Sequence, residues 1–274
     1  MYRERMTTRD WRPRYQVVAE EIRDQILNGD LGPGDALPSE PALSTQYDLS
    51  RTSVRNAIQQ LKEWGLVRSE RGRGNYVRPH RQRFIRKQPD LYQWEKNRVH
   101  LPDDERGQEG ATEHQTGRPL SDLVIPAEYV TIEAGDELAE IFGVEAGTPM
   151  LERRYGTRTA DEAAPLSLGR SWIVKETAAQ NPDLLEAENE PWPGGTQHQL
   201  FTIGIELDRI EDRIIARAPT ADEALRLELD PGTPVIVIRK TSFSTNGDVV
   251  EMADVVLPSD RAELHYMTSL ERWT

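Results

Sequence analysis

The sequence predicts an α+β protein in two parts: an N-terminal winged helix-turn-helix, then a larger domain around one antiparallel sheet. Three observations predict it. Signals for helix, short helix, tight turn, helix and glycine-bent ribbon follow one another over the first 78 residues. Beyond them, a unit of helix, Gly-Thr-Pro turn and paired strands occurs twice, 85 residues apart. The charge also divides: residues 1–88 carry 17 Lys and Arg against 11 Asp and Glu, residues 89–274 carry 17 against 36, and the chain totals −13. A sign change of that size points to different partners for the two parts.

Composition narrows the classes. Hydrophobic residues at 36% and charged residues at 30% fit a folded chain with a polar surface. The absence of cysteine excludes disulfides, thiolate metal sites and cysteine catalysis. The opening MYRERMTTRDWRPR has no apolar run, so it does not read as a secretory signal, and no stretch approaches the roughly 20 apolar residues of a membrane span. A cytoplasmic protein is expected.

In the basic part, Tyr15, Val18, Ile22 and Ile26 recur three or four apart and predict an amphipathic helix stopped at Gly29. Gly32-Pro33-Gly34 then breaks regular structure. Ser39 offers an N-cap for a short helix to Tyr47, with Pro41 tolerated in its first turn. Asp48-Leu49 make a tight turn and Ser50 caps a third helix. Val54, Ala57, Ile58, Leu61 and Trp64 form its apolar stripe; Arg51, Arg55, Gln59 and Lys62 lie on another face. Gly65 ends it, and Leu66-Val67 and Tyr76-Val77 predict a two-stranded wing joined by RSERGRGN.

This order explains the seven Lys and Arg and only two acids in residues 49–78. The recognition helix of such a motif enters a major groove, and the planar arginine fork suits guanine edges and phosphates.

LPSE at 37–40, LSRTSVRNAIQQL at 49–61 and GLVRSERGRGNYV at 65–77 closely resemble the N-terminal domain of GntR-family bacterial transcription regulators, over about residues 13–78. The resemblance implies that Arg51, Thr52 and Arg55 contact operator DNA, with Ser50 and Ser53 on phosphates and Arg71, Gly72 and Arg73 at the wing. Lys62 is a further candidate phosphate contact. Pro41 stands where the family often has arginine.

Residues 79–117 are charge-rich and lack apolar period, and read as a linker with some ordered parts, including Tyr92 and Trp94 packed against a domain. GDELAEIFGVEAGTPMLERRY at 135–155 then aligns with TADEALRLELDPGTPVIVIRK at 220–240, so that Arg154 faces Arg239. Each copy reads as helix, turn, strand and hairpin, with tips at TADEAAP, 159–165, and STNGD, 244–248. A twofold-duplicated α+β domain follows.

GTPMLERR, GTPVIVIRKTSF, NGDVVE and LPSDR at 257–261 make residues 118–270 similar to the UTRA effector domain of the HutC subfamily, whose fold is chorismate-lyase-like. The organisation expected is a DNA-binding domain at 1–78, a linker at 79–117 and an effector and dimerisation domain at 118–274. The resemblance implies effector contacts from Arg154, Arg158, Thr196 and Glu251. On a strand Arg154, Gly156 and Arg158 share a side, which suits an anionic or strongly polar ligand, with Glu251 accepting a hydroxyl or amine of the same molecule. Gly169 and Leu257 replace the glutamate and tyrosine of sugar-phosphate-sensing members, so an aminosugar phosphate is not the expected effector.

The alternative is a small-molecule-processing enzyme on this fold, with DNA binding secondary. His80, His100, His114, His198 and His265 lie far apart without metal-ligand spacing, and there is neither a GxSxG elbow nor a phosphate-cradling glycine loop. The expectation is therefore a non-enzymatic, effector-responsive regulator, most simply a repressor. It should bind an inverted-repeat operator as a homodimer, with no catalytic residues, cofactor, metal or membrane partner.

Overall fold

A computed structural model describes residues 12–70, 72–78, 84–88, 90–107, 110, 114, 122–160, 164–268 and 270. The chain forms two compact units, one built on the first 81 residues and one on residues 82–229 and 234–274.

In the first unit, α1 spans Arg14–Leu27 and buries Val18, Ala19, Ile22 and Ile26. α2 spans Glu40–Tyr47; the Ser39 hydroxyl accepts the Ala42 N–H at 3.3 Å, and Pro41 sits in the first turn, where its missing N–H costs nothing. Asp48 takes the left-handed conformation (φ 49°) that turns the chain sharply into α3, Arg51–Glu63, whose N-cap Ser50 accepts the Ser53 N–H at 3.1 Å. Losing such a cap costs about 1 kcal/mol. Val54, Ala57, Ile58 and Leu61 pack on α1, and Leu37, Leu43, Leu49, Val67 and Val77 complete the core. Trp64 departs from the expected stripe. It is the helix C-cap, 38% exposed, with the Arg23 guanidinium 5.5 Å from its ring. β1 (Val67–Glu70) and β2 (Gly74–Val77) pair antiparallel as the wing, and Ala36 bridges to Tyr76.

The second unit begins inside the stretch read as a linker. β3 (Phe84–Gln88) runs parallel to β11 (Ala262–Tyr266), and α4 (Asp90–Asn97) and α5 (Asp103–Arg106) follow it. These residues thus belong to the folded unit rather than to a free connection. Tyr92 donates to Asp212 at 2.9 Å, and Trp94 stacks on His114 with ring centroids 4.2 Å apart.

The main sheet holds β4 (Leu123–Val124), β5 (Ala127–Glu133), β6 (Pro149–Thr159), β7 (Ser167–Val174), β8 (Leu207–Arg217), β9 (Val235–Ser244) and β10 (Val249–Pro258). Its order is β5-β6-β7-β10-β9-β8, all antiparallel, with β4 on the far end of β6. The duplication is visible as two β-α-β-β units meeting at β7 and β10, with α6 (Asp136–Phe142) in the first and α9 (Ala221–Arg226) in the second. Gly147 and Gly232 of the two Gly-Thr-Pro turns have φ of 87° and 86°, a conformation that costs glycine no Cβ clash. The 244–248 turn joins β9 to β10 as expected; residues 161–163 of the other tip lie outside the described residues.

Both faces of the sheet are covered. α6 packs Ala139 and Phe142 on Met150, Trp172 and Met252, and Leu227, following α9, packs on Leu168, Val235, Val237 and Val256. The opposite face carries Leu151 and Ile173 against α7 (Lys175–Ala178), two 3-10 turns and α8 (Gly195–Thr202), through Ala178, Leu184 and Leu200.

Candidate functional site

The first unit presents the N-terminal half of α3 and the wing. Arg51, Thr52 and Arg55 are exposed, and Lys62, about three turns on along the face of Arg51 and Arg55, is half-buried. Ser50 and Ser53 share a hydroxyl-hydroxyl hydrogen bond at 2.9 Å. The Arg55 Nε donates to Glu40 of α2 at 2.9 Å, and the side chain is 67% exposed. At the wing, Gly72 takes φ 76° with open space where a Cβ would lie, and Arg73 pairs with Glu70 at 2.9 Å. Arg71 lies outside the described residues.

In the second unit a set of polar side chains converges under α8. Arg153 of β6 is 1% exposed and fully engaged. Its Nε donates to Ser171 at 2.9 Å, Nη1 to Gln199 at 2.5 Å and Nη2 to Glu251 at 2.9 Å. Glu251, also 1% exposed, pairs with Lys240 at 2.8 Å and accepts from Ser242 at 3.2 Å. Glu190 accepts from Tyr129 at 2.5 Å, Gln199 at 3.0 Å and Tyr155 at 3.2 Å. Glu95 of α4 approaches from the side and accepts from Gln197 at 3.3 Å.

Burial and charge compete here. Burial works against the Arg153 cation, but Tyr155, Glu251, Tyr129 and Glu190 outweigh it and raise its pKa. Burial likewise opposes the Glu251 carboxylate, and Lys240 and Arg153 overcome it, holding the group below its ordinary 4.5. Burial pushes Tyr129 up to about 12 and Tyr155 well above 10.0, so at neutral pH both are hydroxyl donors. Glu95 is raised by burial, against partial relief from Lys240 and Gln197. The cluster therefore combines fixed donors and fixed acceptors in a low-dielectric setting, where polar recognition is strongest.

Of the four residues expected to meet one effector, the structure brings only Glu251 into this cluster. Thr196 stands in the first turn of α8, one turn before Gln199. Arg154 faces away: it pairs across the sheet with Arg170, and its Nε reaches Glu152 at 2.6 Å on the α6/α9 face. Arg158, four residues on, shares that face. The expectation that Arg154 and Glu251 hold one ligand is thus corrected by strand alternation, because Arg153 occupies the face where Arg154 was expected. Sequence reasoning also missed Tyr129, Tyr155, Ser171, Glu190, Gln199 and Lys240. Among the described residues no group of three or more His, Asp or Glu is placed to hold a metal ion, and no helix is long and apolar enough to cross a membrane.

Two family models match the chain: bacterial regulatory proteins of the gntR family over residues 14–77, and the UTRA domain over residues 127–263. The chain belongs to the GntR family, with the UTRA architecture of its HutC-type members. This GntR-family chain is 29% identical over 260 residues to the transcriptional repressor NagR of Bacillus subtilis, covering 94% of the chain and 96% of NagR. It is 47% identical over 70 residues to the mannosyl-D-glycerate system repressor MngR of Escherichia coli, a match spanning 26% of the chain and 29% of MngR. A crystal structure of a protein described as a GntR-family regulator superposes with a TM-score of 0.69 at 26% identity, covering 95% of this chain and 99% of that one. The GntR-family protein is a transcription regulator, with a DNA-binding helix-turn-helix and a ligand-binding UTRA domain.

Proposed function

We propose that the protein is a cytoplasmic, non-catalytic repressor that binds an inverted-repeat operator as a homodimer and loses affinity when a small polar or anionic effector occupies the cluster under α8. On this reading Arg51, Thr52 and Arg55 meet base edges, Ser50, Ser53 and Lys62 meet phosphates, and Arg71, Gly72 and Arg73 bring the wing to the backbone. The repressor direction draws on NagR and MngR, which are named as repressors. One observation carries the effector site: Arg153 and Glu251, each 1% exposed, meet inside a ring of hydrogen-bonding side chains in a ligand-binding domain. Glu251 remains in the proposed site, with Arg153, Tyr155, Gln199 and Glu190 beside it and Thr196 one turn away on α8.

An effector shifts operator binding only through unequal affinity for two arrangements of the protein, and a typical coupling of about 1–3 kcal/mol changes affinity about 5–150-fold. Selection of bound sequences from a random DNA pool tests the dimer reading, because a twofold dimer enriches an inverted repeat with half-sites about one helical turn apart. A non-palindromic consensus, together with a monomer by sedimentation at operator-binding concentrations, would sink it.

A further inference from the structure

The α6/α9 face carries a row of charges, one from each strand in register: Glu128, Arg154, Arg170, Asp254, Arg239 and Arg213, from β5 across to β8. The duplication makes its halves comparable, because Arg154 and Arg239 are equivalent by the repeat. In the second half Arg239 faces Asp254 and is held by it twice, Nε to Oδ1 at 2.8 Å and Nη2 to Oδ2 at 2.9 Å. In the first half the residue opposite Arg154 is Arg170, so two cations stand where the second half has an ion pair. Like charges directly opposite on neighbouring strands destabilise a sheet.

The protein compensates this pair only partly: Glu128 reaches Arg154 at 3.5 Å, and Asp254, in register beside Arg170, gives both its oxygens to Arg239. Glu152 gives one oxygen to Arg154 at 2.6 Å, lies 3.7 Å from Arg170 through the same oxygen, and spends the other on the Trp172 indole at 2.9 Å. Arg170 is 51% exposed. It makes no hydrogen bond among the described residues, and its guanidinium lies 5.9 Å from the Trp172 ring. Arg226, from α9, reaches Asp222 only at 3.6 Å. Arg154, Arg170 and Arg226 line a cavity of about 370 Å³ whose apolar wall is Leu168, Val237 and Val256; of its acids, Glu223 is paired with Arg217, Asp254 with Arg239, and Asp222 lies 3.6 Å from Arg226. That volume falls within the range of about 300–1,000 Å³ usual for small-molecule pockets.

We propose that this cleft is a second ligand site, on the opposite face of the sheet from the buried cluster. It takes a small molecule with a carboxylate or phosphate head on an apolar body. The head supplies to Arg154 and Arg170 what Asp254 supplies to Arg239, and the body lies on Val237 and Val256. This inference rests on the sheet alone and stands whether or not the cluster under α8 binds an effector.

Titration of the full-length protein with benzoate, a carboxylate on an apolar body, and with inorganic phosphate, a bare oxyanion, tests it, with sodium chloride at matched ionic strength as the control. The binding heat and the Trp172-dependent fluorescence change should saturate with either probe, benzoate binding more tightly. Arg170→Ala and Arg154→Ala should weaken binding about 10–100-fold, the range for a lost charge-assisted hydrogen bond. Lys175→Ala, which removes a cation outside the cleft that donates to Thr131, should leave it unchanged. Arg170→Asp puts a carboxylate where the ligand's head would sit, so it should abolish binding. No saturable binding of either probe, an equal response to chloride, or wild-type binding by Arg170→Asp would overturn the proposal.

Discussion

Replacing Glu251 by glutamine tests how the buried cluster is held together. The carboxylate accepts from Arg153 at 2.9 Å, Lys240 at 2.8 Å and Ser242 at 3.2 Å, and it is 1% exposed. Glutamine keeps the shape but has a single acceptor oxygen, so its NH₂ group must face one of the two cations. Glu251→Gln therefore leaves an uncompensated buried charge and a donor-donor contact, and breaking one side of a buried pair costs about 3–5 kcal/mol. With a urea m-value of about 2–3 kcal/mol/M, the midpoint for the second unit should fall by about 1–2 M. Near-UV circular dichroism, which senses its buried aromatics, follows the transition. Adding Lys240→Met should recover part of the loss, a coupling of about 0.5–3 kcal/mol. The pH response has a defined sign. Glu251 is depressed, so its stabilisation is present above pH 4.5 and is lost as pH falls through its lower folded value. A Glu251→Gln midpoint within 0.2 M of wild type (about 0.5 kcal/mol), at unchanged m, would refute the charged network.

Three further outcomes are expected. If six to ten phosphates are neutralised per operator, affinity should fall about 10³–10⁵-fold between 50 and 200 mM salt, measured by fluorescence anisotropy; a flat response would clear the basic face of the role. Arg51→Ala should cost about 1–3 kcal/mol and relax base preference at one position, whereas Lys62→Ala should weaken all sequences alike; equal, sequence-independent losses would reject base reading by Arg51. Glu95 has its pKa raised by burial, so its contribution is fully present below pH 4.5 and is lost as pH rises through the higher folded value. Glu95→Gln should accordingly raise the melting temperature at pH 7 and lose that advantage below pH 4.5, and no gain at pH 7 would count against the buried carboxylate.

The first unit was legible because its signals are local. Ser39 and Ser50 cap the helices they precede, and Asp48 makes the turn, through contacts within a few residues. Trp64 was misplaced because its periodic position falls at the helix C-cap, where the stripe leaves the core. The repeat was legible as a duplicated sheet, but the face of each strand was not. β6 buries Met150, Leu151, Glu152 and Arg153 in succession, since helices cover both sides, so no polar-apolar alternation distinguishes Arg153 from Arg154. The α4 segment read as linker because it buries Leu91 alone; Tyr92 and Glu95 dock it through polar contacts that hydrophobic periodicity does not register.

The same duplication explains why the cluster under α8 is one-sided. Offset by 85, Arg153 corresponds to Ile238, which is 0% exposed and packs with Leu257 and Ala262, and Tyr155 corresponds to Lys240, which reaches Glu251. One copy kept an apolar centre while the other took a guanidinium. That cation is neutralised by a carboxylate from the opposite copy, so the Arg153–Glu251 pair ties the two β-α-β-β units together across the β7–β10 seam. A ligand that exchanges with Gln199 or Glu251 for Arg153 would trade bonds between the copies for bonds to itself. Such an exchange has the differential character that population shift requires, because the ligand interacts unequally with the tied and the loosened arrangement. Ser171→Ala removes only a bond from within the first copy, so it should perturb ligand affinity without uncoupling the copies; Glu251→Gln should do both.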